Sequence, residues 1–203
     1  INMASKNFLS NLIKIQVALC GQTHVVGRGV ESYECENVHT HSMSHTGSKN
    51  VVISTIKYAL LQIHMSYKVK QLSSNVNTWV FFLGGEALLL PIMTCKILNK
   101  NSIIILAGSI EREGKLRSDF RYNLLGLFKG VCCSISTKIV VYSQNLISFC
   151  NVEHFHSKIS LAHEHFVDID LFSITTPLPD RPLLIGYIGR LSEEKGIQQF
   201  TQA

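Results

Sequence analysis

The sequence predicts an α/β protein built on a parallel sheet flanked by helices. Three observations lead there. From about residue 76, short apolar runs rich in β-formers alternate with longer helical stretches. Gly84-Gly85, Asn99-Lys100-Asn101 and Gly108 punctuate the changeovers. Three prolines crowd the segment from 175 to 182, and a fresh apolar run opens at Leu183. Such alternation calls for βαβ units and a parallel sheet with right-handed crossovers.

Each element has its own reason. Val76–Leu83 is nearly continuous in apolar character, as expected of a strand buried on both faces. Glu86–Leu98 reads as a helix whose Pro91 is tolerable in the first turn, where backbone N–H groups have no intrahelical partner. Ser102–Leu106 is a second buried strand. A charged loop follows from Glu111 to Ser118, and Asp119 is placed to cap a helix running through Ser134. Lys138–Tyr142 is a third strand. Ser143 is a candidate cap for a short helix to Cys150, and Lys158–Ala162 is a fourth strand. Upstream, Val51–Leu72 is apolar on most sides and predicts a mostly buried helix. Lys14–Cys20 is compatible with a strand. Gly21–Asn50 is polar and reads as a loop, with room for a strand near Val30–Cys35.

This gives a first domain over residues 1–174, a proline-rich linker over 175–182, and the start of a second domain over 183–203. A domain opening so near Ala203 reads as truncated.

Bulk chemistry narrows the function. The chain has 203 residues, 46% hydrophobic and 16% charged, which fits a packed globular protein rather than disorder. Its net charge of +5 suits an anionic ligand or surface, but the lysines and arginines are scattered, so nucleic acid is not an expected partner. Six cysteines form no C-x-x-C, and Cys95, Cys132 and Cys133 lie inside apolar runs; a reducing, cytoplasmic setting follows. Trp79–Leu98 is the one membrane-like window. Gly84-Gly85-Glu86 and Pro91 interrupt it, which splits it into a strand and a helix.

Ligands on parallel sheets bind beyond the carboxyl ends of the strands. That rule selects Gly84, Gly85 and Glu86, then Gly108 and Ser109, then Ser143. Gly84-Gly85-Glu86 also reads as a plain strand-to-helix turn, with Glu86 favouring the helix N-terminus. His39, His41 and His45, and His154, His156, His163 and His165, raise the question of a metal. They lie in polar, loop-like segments rather than on a converging scaffold, so no metal is expected. Neither a Gly-x-Ser-x-Gly elbow nor a Walker loop is present.

The closing segment is the most specific. In Gly186-Tyr-Ile-Gly189-Arg190-Leu-Ser-Glu-Glu-Lys195-Gly196, Gly189 permits a sharp turn at a strand end. Arg190 offers a planar fork to phosphate oxygens, and Lys195 a point charge near a helix start. The bland alternative is a surface loop whose cations pair with Glu193 and Glu194.

Ile185–Gly196 resembles the opening of the C-terminal domain of glycosyltransferase family 4. Lys138–Ser143 and Lys158–Phe172 resemble segments that precede it in that family, although Phe166 stands where Gly is usual. The resemblance implies a GT-B architecture of two Rossmann-like domains, with the acceptor on the first and a nucleotide-diphosphate sugar on the second. It implies a retaining, metal-independent sugar transfer to a hydroxyl acceptor, be it a glycan, a lipid-linked molecule or a small molecule. Arg190 and Lys195, with Gly189, would hold the donor diphosphate. Gly84, Gly85, Glu86, Gly108 and Ser109 would line the acceptor side. No cofactor is implied beyond the donor as co-substrate, and no catalytic residue is singled out. The family's E-x7-E signature is absent. Cytoplasmic residence, with peripheral contact at the inner face of a membrane, completes the expectation. The alternatives are an inactive truncated remnant and a membrane-associated protein that is not an enzyme.

Overall fold

The structure is a computed structural model. It describes residues 3–27, 37–43, 50–82, 84–109, 121–162, 176–183 and 197–202. The chain divides into two compact units, Ile1–Glu164 and His165–Ala203.

The first unit is α/β, with parallel sheets flanked by helices in a Rossmann-like manner. Helix α1 (Met3–Cys20) leads to strands β1 (Thr23–Gly27) and β2 (Val38–Ser42), which pair in parallel. Helix α2 (Val51–Leu72) follows. Then come β3 (Thr78–Phe81), a 3-10 turn (Gly85–Ala87), α3 (Leu89–Ile97), β4 (Asn101–Leu106), α4 (Arg121–Ile135), β5 (Lys138–Val141), α5 (Asn145–Phe149), a second 3-10 segment (Glu153–Lys158) and β6 (Ile159–Leu161). Strands β3 to β6 form one sheet, all parallel and in sequence order. An order that steps one way, with crossovers of one hand, puts every intervening helix on the same face. The core agrees. Phe81, Ile104, Leu106, Ile139 and Val141 point into a cluster completed by Ile92 and Cys95 of α3, Cys132 and Cys133 of α4, and Cys150 and Val152. Burying each large aliphatic group there is worth about 1.5–3 kcal/mol.

Strand β4 is one of the two inner strands, with Ile104, Ile105 and Leu106 all buried. Its neighbours are not buried on both faces. Val80 of β3 is 36% exposed, so the expectation that Val76–Leu83 is buried on both faces holds only for the helix-covered side. Trp79–Leu98 resolves into strand, 3-10 turn and helix. Among the described residues, no helix is long and apolar enough to cross a membrane.

Local signals set the boundaries. Helix α3 ends with Asn99 at φ +52°, where Lys100 N–H donates to Cys95 O (2.8 Å) and Asn99 N–H to Lys96 O (3.2 Å). Helix α5 ends in the same way. Asn151 sits at φ +53°, Val152 N–H donates to Ile147 O and Asn151 N–H to Ser148 O, both at 3.1 Å. Both are left-handed caps that satisfy the last carbonyls of a helix. Asparagine tolerates that conformation better than most residues with a Cβ. The residue preceding α5 is Gln144, not Ser143, and no side chain caps that helix. Asp119 lies outside the described residues.

Three upstream expectations are corrected. Residues 14–20 belong to a helix, not a strand. The alternation of Ile15, Val17 and Leu19 looks β-like in a short window, but Leu9, Leu12, Ile13, Gln16 and Val17 form a helical stripe. Ile13 of that stripe is buried, whereas Leu19 is 79% exposed. Gly21 at φ +76° stops the helix, its N–H donating to Val17 O at 2.8 Å. The stretch 21–50 is not simply a loop, since it contains β1 and β2; Val30–Cys35 falls outside the described residues. Helix α2 is not mostly buried. Asn50 caps it, Oδ1 accepting from Val52 N–H (2.9 Å) and Ile53 N–H (3.3 Å), but only Gln62 and Val69 are fully buried.

The inner face of α2 is tied to α3 by polar contacts. Gln62, 5% exposed, accepts at Oε1 from Leu90 N–H (2.9 Å). Tyr58 O–H donates to Ala87 O (2.7 Å). With Pro91 bringing no N–H of its own, Gln62 acts as an imported cap for α3.

In the second unit, a 3-10 turn (Leu178–Asp180) lies within the proline-rich segment. Arg181 Nε donates to Thr176 O (2.8 Å), and a short helix α6 spans Ile197–Gln202. A single 3-10 turn is more order than three prolines were expected to allow.

Replacing Gln62 with Leu leaves the Leu90 N–H without its acceptor. The expected loss is about 0.5–1.5 kcal/mol, read as a lower urea midpoint at unchanged slope.

Candidate functional site

The carboxyl ends of β3 and β4 lie side by side because the strands pair in register, Phe81 with Ile104. From β3 the chain turns at Gly84 (φ +89°) into the 3-10 turn carrying Glu86. A Cβ on Gly85 would stand 2.8 Å from Phe81 Cβ, so the backbone approaches the strand more closely than any side chain permits. The turn N–H groups are largely used internally: Ala87 N–H donates to Gly84 O (3.2 Å) and Leu88 N–H to Gly85 O (3.0 Å). Glu86 itself is 6% exposed.

After β4, Gly108 has open space where its Cβ would be, and Ser109 is buried. Gly108 O accepts from Cys150 Sγ (3.2 Å), which ties this strand end to the C-terminus of α5. Lys129, on α4 and 2% exposed, donates from Nζ to Cys150 O (2.6 Å). The carboxyl edge therefore gathers Glu86, Ser109, Gly108 and Lys129. Of these, Lys129 was not selected from the sequence. Its only trace there is a lysine within an apolar helical run, Leu124–Cys133.

The charges show themselves on the thiols between them. Burial raises the pKa of Cys133 to about 12, Lys129 pulling it down and Glu86 pushing it up. Burial also raises Cys132 to about 12, with Cys133 and Glu86 adding to the rise. Tyr58 is raised by burial, then by Cys132 and Glu86. These thiols and this phenol stay protonated at neutral pH, so none of them is a ready nucleophile. Two charged side chains that bear on these thiols, Glu86 and Lys129, are both buried.

Lys158 has a structural task. Its Nζ donates to Ser136 O (3.0 Å), Cys133 O (3.3 Å) and Ser134 O, a cation set on the C-terminal carbonyls of α4.

Three histidines do meet, though not the set read from the sequence. His24 of β1 stands opposite His39 of β2, with ring centroids 4.8 Å apart, and His24 Nδ1 lies 3.1 Å from His41 Nε2. Gln22 Nε2 is 2.7 Å from His39 Nε2. Among the described residues, no group of three or more His, Cys, Asp or Glu is arranged to hold a metal. His154 and His156 lie on the second 3-10 segment, and both are exposed. His45, His163 and His165 lie outside the described residues. So do Gly189, Arg190 and Lys195.

Compared with protein-family models, with curated proteins and with solved structures, the chain shows no match.

Two outcomes are expected. Gly85→Ala forces its Cβ onto Phe81 and costs about 1–3 kcal/mol, measurable by denaturant unfolding. His24 and His41 have lowered pKa values, from burial first and then from neighbouring cations: His39 and His41 for His24, Lys68 and His39 for His41. The unfolded chain therefore binds protons more readily. Their contribution to stability is complete above the ordinary imidazole value and is lost as pH falls through the lowered one. Ring-proton NMR titration should give midpoints for both residues below 6.5.

Proposed function

We propose that this protein transfers a sugar from a nucleotide-diphosphate donor to a hydroxyl acceptor. The observation that carries the reading is the sequence Ile185-Gly-Tyr-Ile-Gly189-Arg190-Leu-Ser-Glu-Glu-Lys195-Gly196, with its resemblance to the donor-domain opening of glycosyltransferase family 4. A Rossmann-like first unit is the kind of scaffold that architecture requires, which supports the reading without identifying it.

Arg190 and Lys195 neutralise the diphosphate as it departs, stabilising charge that develops only in the transition state. Gly189 lets the backbone turn so that both can reach the phosphates. The acceptor lies on the first unit, over the strand ends that carry Gly84, Gly85, Glu86, Gly108 and Ser109. Glu86 orients the acceptor hydroxyl, and the buried ammonium of Lys129 fixes the charge balance around it. The reaction needs no metal, and the acceptor is a glycan, a lipid-linked molecule or a small molecule.

The test is turnover with UDP- and GDP-sugars, combined with calorimetry of UDP and GDP. Arg190→Ala should lower turnover by about 100-fold or more and weaken nucleotide binding. Unchanged turnover, or no heat from either nucleotide with the unsubstituted chain, refutes the assignment.

A further inference from the structure

The outward face of α2 is apolar in a pattern that packing among the described residues does not use. Ile53, Ile56, Leu60, Ile63 and Tyr67 are 45%, 55%, 59%, 56% and 63% exposed. Their spacing is 3, 4, 3 and 4, the a and d positions of a heptad, and it matches the period of a helix-to-helix seam. The e positions of the same heptad are Lys57, His64 and Gln71, a polar row along one edge. On the other edge are Val52, Ala59 and Ser66, small enough for close approach. The inner face, with Tyr58, Gln62 and Val69, is already engaged.

Heptad spacing points to a helical partner. A flat lipid surface would submerge the polar e row together with the seam, whereas a helix leaves that row at the rim. The seam is also close to symmetric about Leu60: Ile53 and Tyr67 lie seven residues to either side, Ile56 and Ile63 four and three. Such a pattern complements itself when the partner helix runs the opposite way. Charge selects the same direction. Helix α2 has no acidic residue, and Lys70 lies in its last turn at the next d position. A parallel pair would stack Lys70 against its own copy. An antiparallel pair centred on Leu60 separates the two Lys70 by about 30 Å along the axis, about three Debye lengths at ordinary salt. It also sets Lys57 of one copy beside His64 of the other, a donor beside an acceptor.

We infer that a second copy of this chain covers this face, α2 packing antiparallel on α2 across a two-fold axis at Leu60. This is independent of the sugar transfer proposed above. The contact is isologous, so one substitution acts twice.

Light scattering on the full chain over a wide concentration range tests it. The expected mass is twice 22.7 kDa. Leu60→Glu places two carboxylates at the axis and should weaken association roughly 100-fold, with circular dichroism unchanged because the position is exposed. Ile63→Glu should act alike. In a Cys20→Ser, Cys35→Ser background, Ile53→Cys protein mixed with Tyr67→Cys protein should cross-link on oxidation, and Ile53→Cys alone should not. A monomer at every concentration overturns the inference, as does a dimer that survives both glutamates. So does a monomer that binds phosphatidylglycerol–phosphatidylcholine vesicles and loses that binding with Leu60→Glu, because the face then belongs to lipid.

Discussion

The first unit depends on the placement of β4 between β3 and β5. A parallel strand can pair with its sequence neighbours only if the connections leave the sheet and cross back over it, and each crossover here brings a helix. Ile104 and Leu106 reach the helix side while Ile105 is buried on the other. The strand pairs along both edges, so β3 and β5 are set in register by β4. The loops that leave their carboxyl ends inherit that precision. The turns that carry Glu86 and Ser109 leave adjacent strand ends because Phe81 pairs with Ile104, well before any ligand is considered.

Polar burial does the remaining positioning. Three long side chains reach across elements to backbone groups that their own segments leave unpaired. Gln62 supplies the start of α3, Lys158 closes the end of α4, and Lys129 holds the end of α5. Each bond links residues more than twenty apart in sequence, so helix termini that local capping leaves open are closed by tertiary contacts. In this architecture secondary structure and packing cannot be separated, because several helices are complete only once their neighbours are present.

Much of this was legible in the sequence from residue 76 onward. The strands around Thr78–Phe81, Asn101–Leu106, Lys138–Val141 and Ile159–Leu161 announce themselves because buried parallel strands are continuous apolar runs. The asparagines at 99 and 151 mark helix ends for a backbone reason that composition reveals. The N-terminal third was harder to read. Ile15, Val17 and Leu19 alternate as in a strand while lying on a helix, because periods of 2 and 3.6 coincide over a few residues. The pair β1 and β2 carries histidines and threonines where apolar runs were sought. Helix α2 looked buried because apolar residues surround it, and composition alone cannot distinguish a buried face from an exposed one. For the candidate site, Gly84 to Glu86 and Gly108 to Ser109 follow from the strand-end rule. Lys129 does not, since its partner is a carbonyl in a distant helix.

The thiols have a practical consequence. Cys20 is exposed, while Cys95, Cys132, Cys133 and Cys150 are sealed in the core, three of them with pKa values pushed up to about 12. Among the described residues, an alkylating reagent therefore meets one accessible sulfur and four that react only when the sheet and its helices come apart. Three of those four are contributed by α3 and α4, and the fourth follows α5 directly. The order in which they become labelled under mild denaturant would record, helix by helix, how the unit opens, using reporters already written into the chain.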